Sequence, residues 1–136
     1  MDERGFQELE HTADRALQVF GHDLKELFVN AARGMFSLIA DLDTITPTRA
    51  HRVELQAPDL EMLLVDWLNE LLFMHETNGE IYVQFDIEHL SPTELRATVR
   101  GESAPATKAF IKAATFHNLR IARTEEGYTT VVVFDT

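Results

Sequence analysis

Apolar residues change their spacing several times along the chain. Leu17 and Val19 share one face of the run Ala16-Leu17-Gln18-Val19-Phe20, the alternation of a strand with one buried side, and residues 5–10 read as a shorter edge strand before it. Gly21-His22 then turns the chain. Asp23, followed three residues later by Glu26, is a variant of the capping box, and Leu24, Leu27, Phe28, Ala31, Met35, Leu38 and Ile39 recur behind it at helical spacing. A helix is predicted from Leu24 to about Ala40. The following segment to Ala50, with Asp, Thr and Pro47, reads as a loop.

The second half repeats the sequence of periods. Arg52-Val53-Glu54-Leu55-Gln56 alternates as a strand, and Pro58-Asp59 opens a second helix with the stripe Leu60, Leu63, Leu64, Trp67, Leu68, Leu71 and Leu72, stopped by Gly79. Ile81, Val83, Phe85 and Ile87 alternate with polar residues, and Ser91-Pro92 turns that strand into Leu95–Arg100 as a hairpin. Residues 103–118 follow no single period. Residues 119–124 and 128–134 predict a last hairpin across Glu125-Glu126-Gly127.

Written in order, these elements suggest one strand-helix-strand-strand unit, residues 52–101 or so, nested within another that starts near residue 16 and finishes at Phe134. The outer unit closes only if the two ends of the chain come together. The expected fold is α/β (α+β): a single domain, residues 1–136, in two layers, with two main helices on one face of a mostly antiparallel sheet.

Composition narrows the classes of function. The chain has 12 Lys and Arg against 23 Asp and Glu, a net charge of −11, which repels a phosphate backbone and disfavours direct nucleic-acid binding. Every charged side chain from Glu54 to Glu94 is an acid, whereas Arg96, Arg100, Lys108, Lys112, Arg120 and Arg123 follow with only Glu102 among them. Two solvated faces account for most of these charges. With 0 Cys, disulfides, thiolate zinc and a cysteine nucleophile are all excluded, which suits a reducing cytosol. No leader-like or membrane-spanning apolar run is apparent, so a cytoplasmic location is expected.

The last strand runs directly into Asp135-Thr136, which puts the Asp135 side chain and the α-carboxylate of Thr136 at one strand end. If the outer unit closes, His11-Thr12-Ala13-Asp14 approaches that end and a third oxygen anion joins the first two. Mutual repulsion then calls for protonation, hydration or a cation. An all-oxygen set favours Ca2+, Mg2+ or Mn2+ over Zn2+. The plainer alternative is that Asp14 makes a turn, Asp135 is a solvated end residue and His11 satisfies a backbone group.

Other candidates weigh less. Asp66 and Glu70 share a helix face and resemble an acid/base pair, but between Trp67, Leu68, Leu71 and Leu72 they read as a solvated face, and Trp67 as core. Lys112 and His117 could form a charged patch with Arg120; His22, His51, His75 and His89 read as surface histidines. No H-E-x-x-H, G-x-S-x-G or P-loop pattern is present.

His11-Thr12-Ala13-Asp14, Leu24–Ala32, Leu63-Leu64-Val65-Asp66-Trp67-Leu68-Asn69-Glu70-Leu71-Leu72, Ile111-Lys112-Ala113-Ala114-Thr115-Phe116-His117 and Val133-Phe134-Asp135-Thr136 together resemble the archeases. These are accessory proteins of the GTP-dependent RNA ligase that joins tRNA exons and repairs broken RNA. The resemblance implies a small two-layer fold of nested strand-helix-strand-strand modules, with a divalent metal, Ca2+ foremost, where the termini meet. It implies Asp14, Asp135 and Thr136 as metal ligands, and Lys112, with His11 and His117, as partner-facing residues. Arg15-Ala16 stands where the family commonly has Ile-Gly, Asn118 where Gly commonly follows the histidine, and residues 103–108 are fewer and less polar than usual.

What the resemblance implies for function is a chaperone-like protein cofactor of tRNA processing, not itself an enzyme. It promotes guanylylation and turnover of the ligase and meets RNA only through that enzyme, away from membranes. Two other classes stay open on the residues: a small metal-dependent phosphoester hydrolase with Asp14 and Asp135 as ligands and His11 as base, and a metal-free interaction module.

Overall fold

A computed structural model describes residues 4–9, 14–104 and 106–136. Helix α1 (Leu24–Ile39) starts at Asp23, whose extended backbone lets its side chain accept the Glu26 N–H at 2.8 Å. That satisfies one of the donors every helix start leaves open. Glu26 reaches back one residue further than the usual box, taking the His22 N–H at 3.0 Å and lying 2.8 Å from His22 Nδ1. The buried face is wider than the predicted stripe: Ala32 and Phe36 join it, and Leu24 is half-buried.

Helix α2 (Leu60–Asn78) is capped in the same way by Asp59, which accepts the Met62 N–H at 2.8 Å. It ends where expected. Gly79 adopts φ 67°, ψ 28°, the left-handed conformation that glycine enters without a side-chain penalty. Trp67 is wholly buried, and its Nε1–H donates to the Phe28 carbonyl at 3.0 Å, so one indole fills the core and fastens α2 to α1. No helix among the described residues is long and apolar enough to cross a membrane.

The described residues also form eight strands: β1 (Phe6–Leu9), β2 (Arg15–Gly21), β3 (Arg49–Gln56), β4 (Glu80–Leu90), β5 (Glu94–Ser103), β6 (Ala113–Thr115), β7 (Ala122–Thr124) and β8 (Gly127–Asp135). All pair antiparallel. They form two sheets where the periodicity suggested one: β1-β2-β8-β6, with β7 also on β8, and β3-β5-β4. In the inner unit β5 is central, flanked by β3 and β4, and among the described residues neither of these edge strands pairs with the outer unit, so the inner unit forms a sheet of its own.

The two helices unite the sheets. α1 packs on β1, β2 and β8 and also on β4; α2 packs on β6 and also on β3, β4 and β5. One hydrophobic cluster therefore runs through both, from Leu17 and Val132 to Val53 and Val99. Two late elements differ from expectation. β6 lies in the stretch without a clear period, and β7 is shorter than predicted because Leu119 is buried, turned in by its N–H bond to the Phe116 carbonyl.

Candidate functional site

The β2–β8 ladder pairs Arg15 with Phe134 and Ala16 with Val133. Asp14 precedes the first of these residues and Asp135 follows its partner, so both acids come to the same end of two neighbouring strands. Asp14 stands one residue before the first pair of the ladder, so it is placed at this strand end without belonging to the ladder itself. On the opposite side of β8, Ala113 pairs with Asp135, and the Lys112 N–H donates to the Asp135 carbonyl at 2.8 Å. One strand end thus gathers Asp14, Asp135, Thr136 and Lys112.

Phe134 is wholly buried, and the alternation of β8 turns Asp135 outward to an exposed position. Asp14 is half-buried, and Thr136 and Lys112 are exposed. Neither Asp14 nor Asp135 has a hydrogen-bond or ion-pair partner for its carboxylate among the described residues. His11 lies outside the described residues. His117 is exposed; its N–H reaches Thr115 Oγ1 at 3.3 Å and its ring lies 3.3 Å from the Asn118 amide, with no bond to Lys112 or Asp135.

The donor set fits a hard cation. The carboxylates of Asp14 and Asp135 and an oxygen of Thr136 are all oxygens, exposed enough for water to fill the rest of a coordination shell. Among the described residues no group of three or more His, Asp or Glu side chains is placed to hold a metal ion.

Two of the departures from the pattern that the resemblance implies can be placed in the structure. Arg15 forks onto Glu8 of β1, Nε at 2.8 Å and Nη2 at 3.0 Å, which fastens the edge strand beside the site. This bond holds the Glu8 carboxyl below the usual range. Asn118 has φ 53°, the left-handed region that the glycine commonly found there enters freely and that Asn tolerates best among other residues.

Two features escaped the hydrophobic pattern. Asn69 of α2 bonds both main-chain groups of Ala114, accepting its N–H at 2.8 Å and donating to its carbonyl at 3.0 Å. The second is a polar cluster in the smaller sheet. The Glu80 carboxylate, 3% exposed, lies 2.7 Å from His51 Nε2 and 3.5 Å from Arg49 Nε, and accepts the Tyr82 hydroxyl at 3.0 Å. Burial pushes the Tyr82 phenol up to about 12, so it remains a donor at neutral pH. His75 Nδ1 is 2.8 Å from the Glu80 carbonyl.

His51 and His75 are therefore half-buried members of a network and not the surface histidines expected; His22 is exposed on Glu26, and His89 lies 3.5 Å from Glu94. Asp66 and Glu70 are half-buried, and burial raises the Asp66 carboxyl above its ordinary value. A cleft of about 990 Å³ between β1, β2 and α1 is separate from the strand-end group. It is lined by Arg4, Arg33 and Lys108 but equally by Glu26, Asp41 and Asp43, so it has no clear preference for either charge.

Comparison with known proteins extends over nearly the whole chain. Residues 6–136 match the archease protein family. The archease of Methanosarcina acetivorans is 38% identical over 96% of this chain and 94% of its own length. That of Methanopyrus kandleri is 36% identical over 96% and 98%. Among solved structures, protein 1598 of Methanobacterium thermoautotrophicum superposes with a TM-score of 0.81 at 32% identity, covering 98% of this chain and 99% of its own. A Thermotoga maritima protein described as an archease, possible chaperone, gives 0.67 at 26% identity, covering 96% of each.

Proposed function

The chain belongs to the archease family, and on that premise we propose that it is a non-enzymatic accessory protein that activates the GTP-dependent RNA ligase of tRNA splicing by promoting its guanylylation and turnover. The observation that carries this reading is the meeting of the β2 start with the β8 end, where the half-buried Asp14 and the exposed Asp135, neither with a carboxylate partner among the described residues, stand near Lys112. Neither carboxylate is used in a bond that holds the fold together among the described residues. That suits a protein that must present oxygen ligands outward.

Asp14, Asp135 and Thr136 would hold the divalent ion, Ca2+ foremost and Mg2+ or Mn2+ as alternatives. When bound, the ion supplies positive charge that attracts nucleotide phosphates. The part of the chain itself is to hold the oxygens at one strand end, with Lys112 adding a cation for an acidic or phosphate group of the ligase complex. The net charge of −11 speeds encounter with a basic, RNA-binding enzyme and keeps RNA at a distance from the accessory protein.

The test is covalent guanylylation of the ligase, followed with GTP at equimolar and substoichiometric amounts of this protein. Acceleration at both ratios is expected, lost in Asp14→Asn and Asp135→Asn. No acceleration at either ratio rejects the reading. The same protein is offered phosphoesters with Mn2+ and no ligase; turnover that disappears in Asp14→Asn would replace an accessory role with a hydrolase.

A further inference from the structure

Strand β6 has 3 residues and lies at an edge of the larger sheet. An edge strand exposes a row of N–H and C=O groups that no ladder satisfies. At Ala114 both are taken by one side chain, since Asn69 Oδ1 accepts the N–H at 2.8 Å and Nδ2 donates to the carbonyl at 3.0 Å. A primary amide sets an acceptor oxygen beside a donor NH2, so it imitates the facing residue of a missing strand.

The other edge of β6 holds the candidate site. Ala114 pairs with Phe134 and Ala113 with Asp135, while the Lys112 N–H bonds the Asp135 carbonyl at 2.8 Å. Asn69 itself stands in α2 beside Leu68, Leu71 and Leu72, all buried, so its backbone is fixed by the core. Ile111 and Leu119 also anchor the segment by burial, but apolar packing is non-directional and does not set which main-chain group faces which. The ladder with β8 does so on one edge, and the Asn69 pair does so on the other.

We propose that Asn69 is a positioning residue for the strand-end site: by gripping β6 from its outer edge it fixes Lys112 against Asp135. Its consequence for function rests on the accessory reading given above, in which Lys112 meets the ligase complex; its consequence for structure does not. A rigid helix is thereby coupled to a short strand that packing alone would leave free to slip.

Two measurements on the full-length protein test this. In Asn69→Leu, and in Asn69→Ala should the first fold poorly, the Lys112 amide, which Asn69 does not touch, should exchange with solvent roughly tenfold faster or more, while β3 and β5 amides keep their rates. A Lys112 amide within about twofold of wild type overturns the proposal, as does acceleration spread through β3 and β5, which would mean general destabilisation.

The second measurement is a double-mutant cycle on ligase guanylylation with Asn69→Ala and Lys112→Ala. If Asn69 acts through Lys112, the double variant is no slower than Lys112→Ala alone; losses that multiply overturn the coupling. Failure of the wild type to accelerate guanylylation would refute the accessory function, and the amide measurement would still decide the positioning role.

Discussion

The two sheets treat their carboxylates in opposite ways. In the smaller one, Glu80 is buried and every neighbour is set to receive its charge: His51, Arg49 and the Tyr82 hydroxyl, with Asn78 donating in turn to Tyr82 at 3.1 Å. In the larger one, Asp14 and Asp135 reach the same strand end and have no partner among the described residues. A buried charge must be satisfied within the protein or the fold pays for it. Asp135 is exposed and Asp14 only half-buried, so water meets much of that demand and a partner can come from outside. One arrangement completes the fold and the other leaves a valence open.

The largest effect should come from Glu80→Ala. It leaves the Tyr82 hydroxyl short of an acceptor and removes the group that joins β3 to β4. Because Arg49 and His51 are partly exposed and can rehydrate, a loss of about 2–4 kcal/mol in denaturant unfolding is expected. Ligase activation per folded molecule should stay unchanged. A stable Glu80→Ala protein that fails to activate would break the contrast between the sheets.

The strand end should behave in reverse. Saturating Ca2+ or Mn2+, near a hundred times the Kd, should raise the unfolding free energy of the wild type by roughly 2.7 kcal/mol. Asp135→Asn should abolish that gain, while its own stability without metal stays within about 0.5 kcal/mol of wild type. Metal stabilisation that persists in Asp135→Asn and Asp14→Asn would place the ion elsewhere.

Smaller effects sharpen the same contrast. Gly79 directs the chain from α2 into Glu80, and a side chain there meets nothing within 4 Å, so Gly79→Ala isolates the cost of the left-handed backbone. About 1 kcal/mol is expected in thermal or denaturant unfolding, and a stabilised protein would contradict it. Beside the site, Glu8 titrates below the usual carboxylate range because it bonds Arg15. A depressed folded pKa gives stability that is present above the ordinary value and lost as pH falls through the depressed one. Both side chains are partly exposed, so Glu8→Gln should remove less than about 1 kcal/mol, seen as a shallower acid limb in stability against pH.

The caps explain why so much of the fold is legible without coordinates. Asp23 and Asp59 act on N–H groups three residues ahead, and Gly79 on its own backbone, so both helices are bounded by local chemistry. The β4–β5 hairpin is similarly local, closed by the Ser91 N–H on the Glu94 carbonyl at 2.9 Å. The approach of Asp14 to Asp135 follows from strand order and the requirement that the outer unit close. Periodicity does not carry sheet continuity: nothing in the alternation of β5 shows that both its edges are used within one unit.

Tertiary structure alone decided the rest. Three residues give too short a window for a period to register, so β6 exists because Asn69 and β8 grip its two edges. His51 and Glu80 lie 29 residues apart, and only the two ladders of β5 bring them together. The sequence by itself determined what acts within a few residues: caps, turns, faces, and which acids stand at strand ends. Interactions between groups distant along the chain, which sheets and helices they join, and which carboxylate is satisfied and which left open were settled by packing, because hydrogen bonds across such distances leave no repeating pattern in the residues that make them.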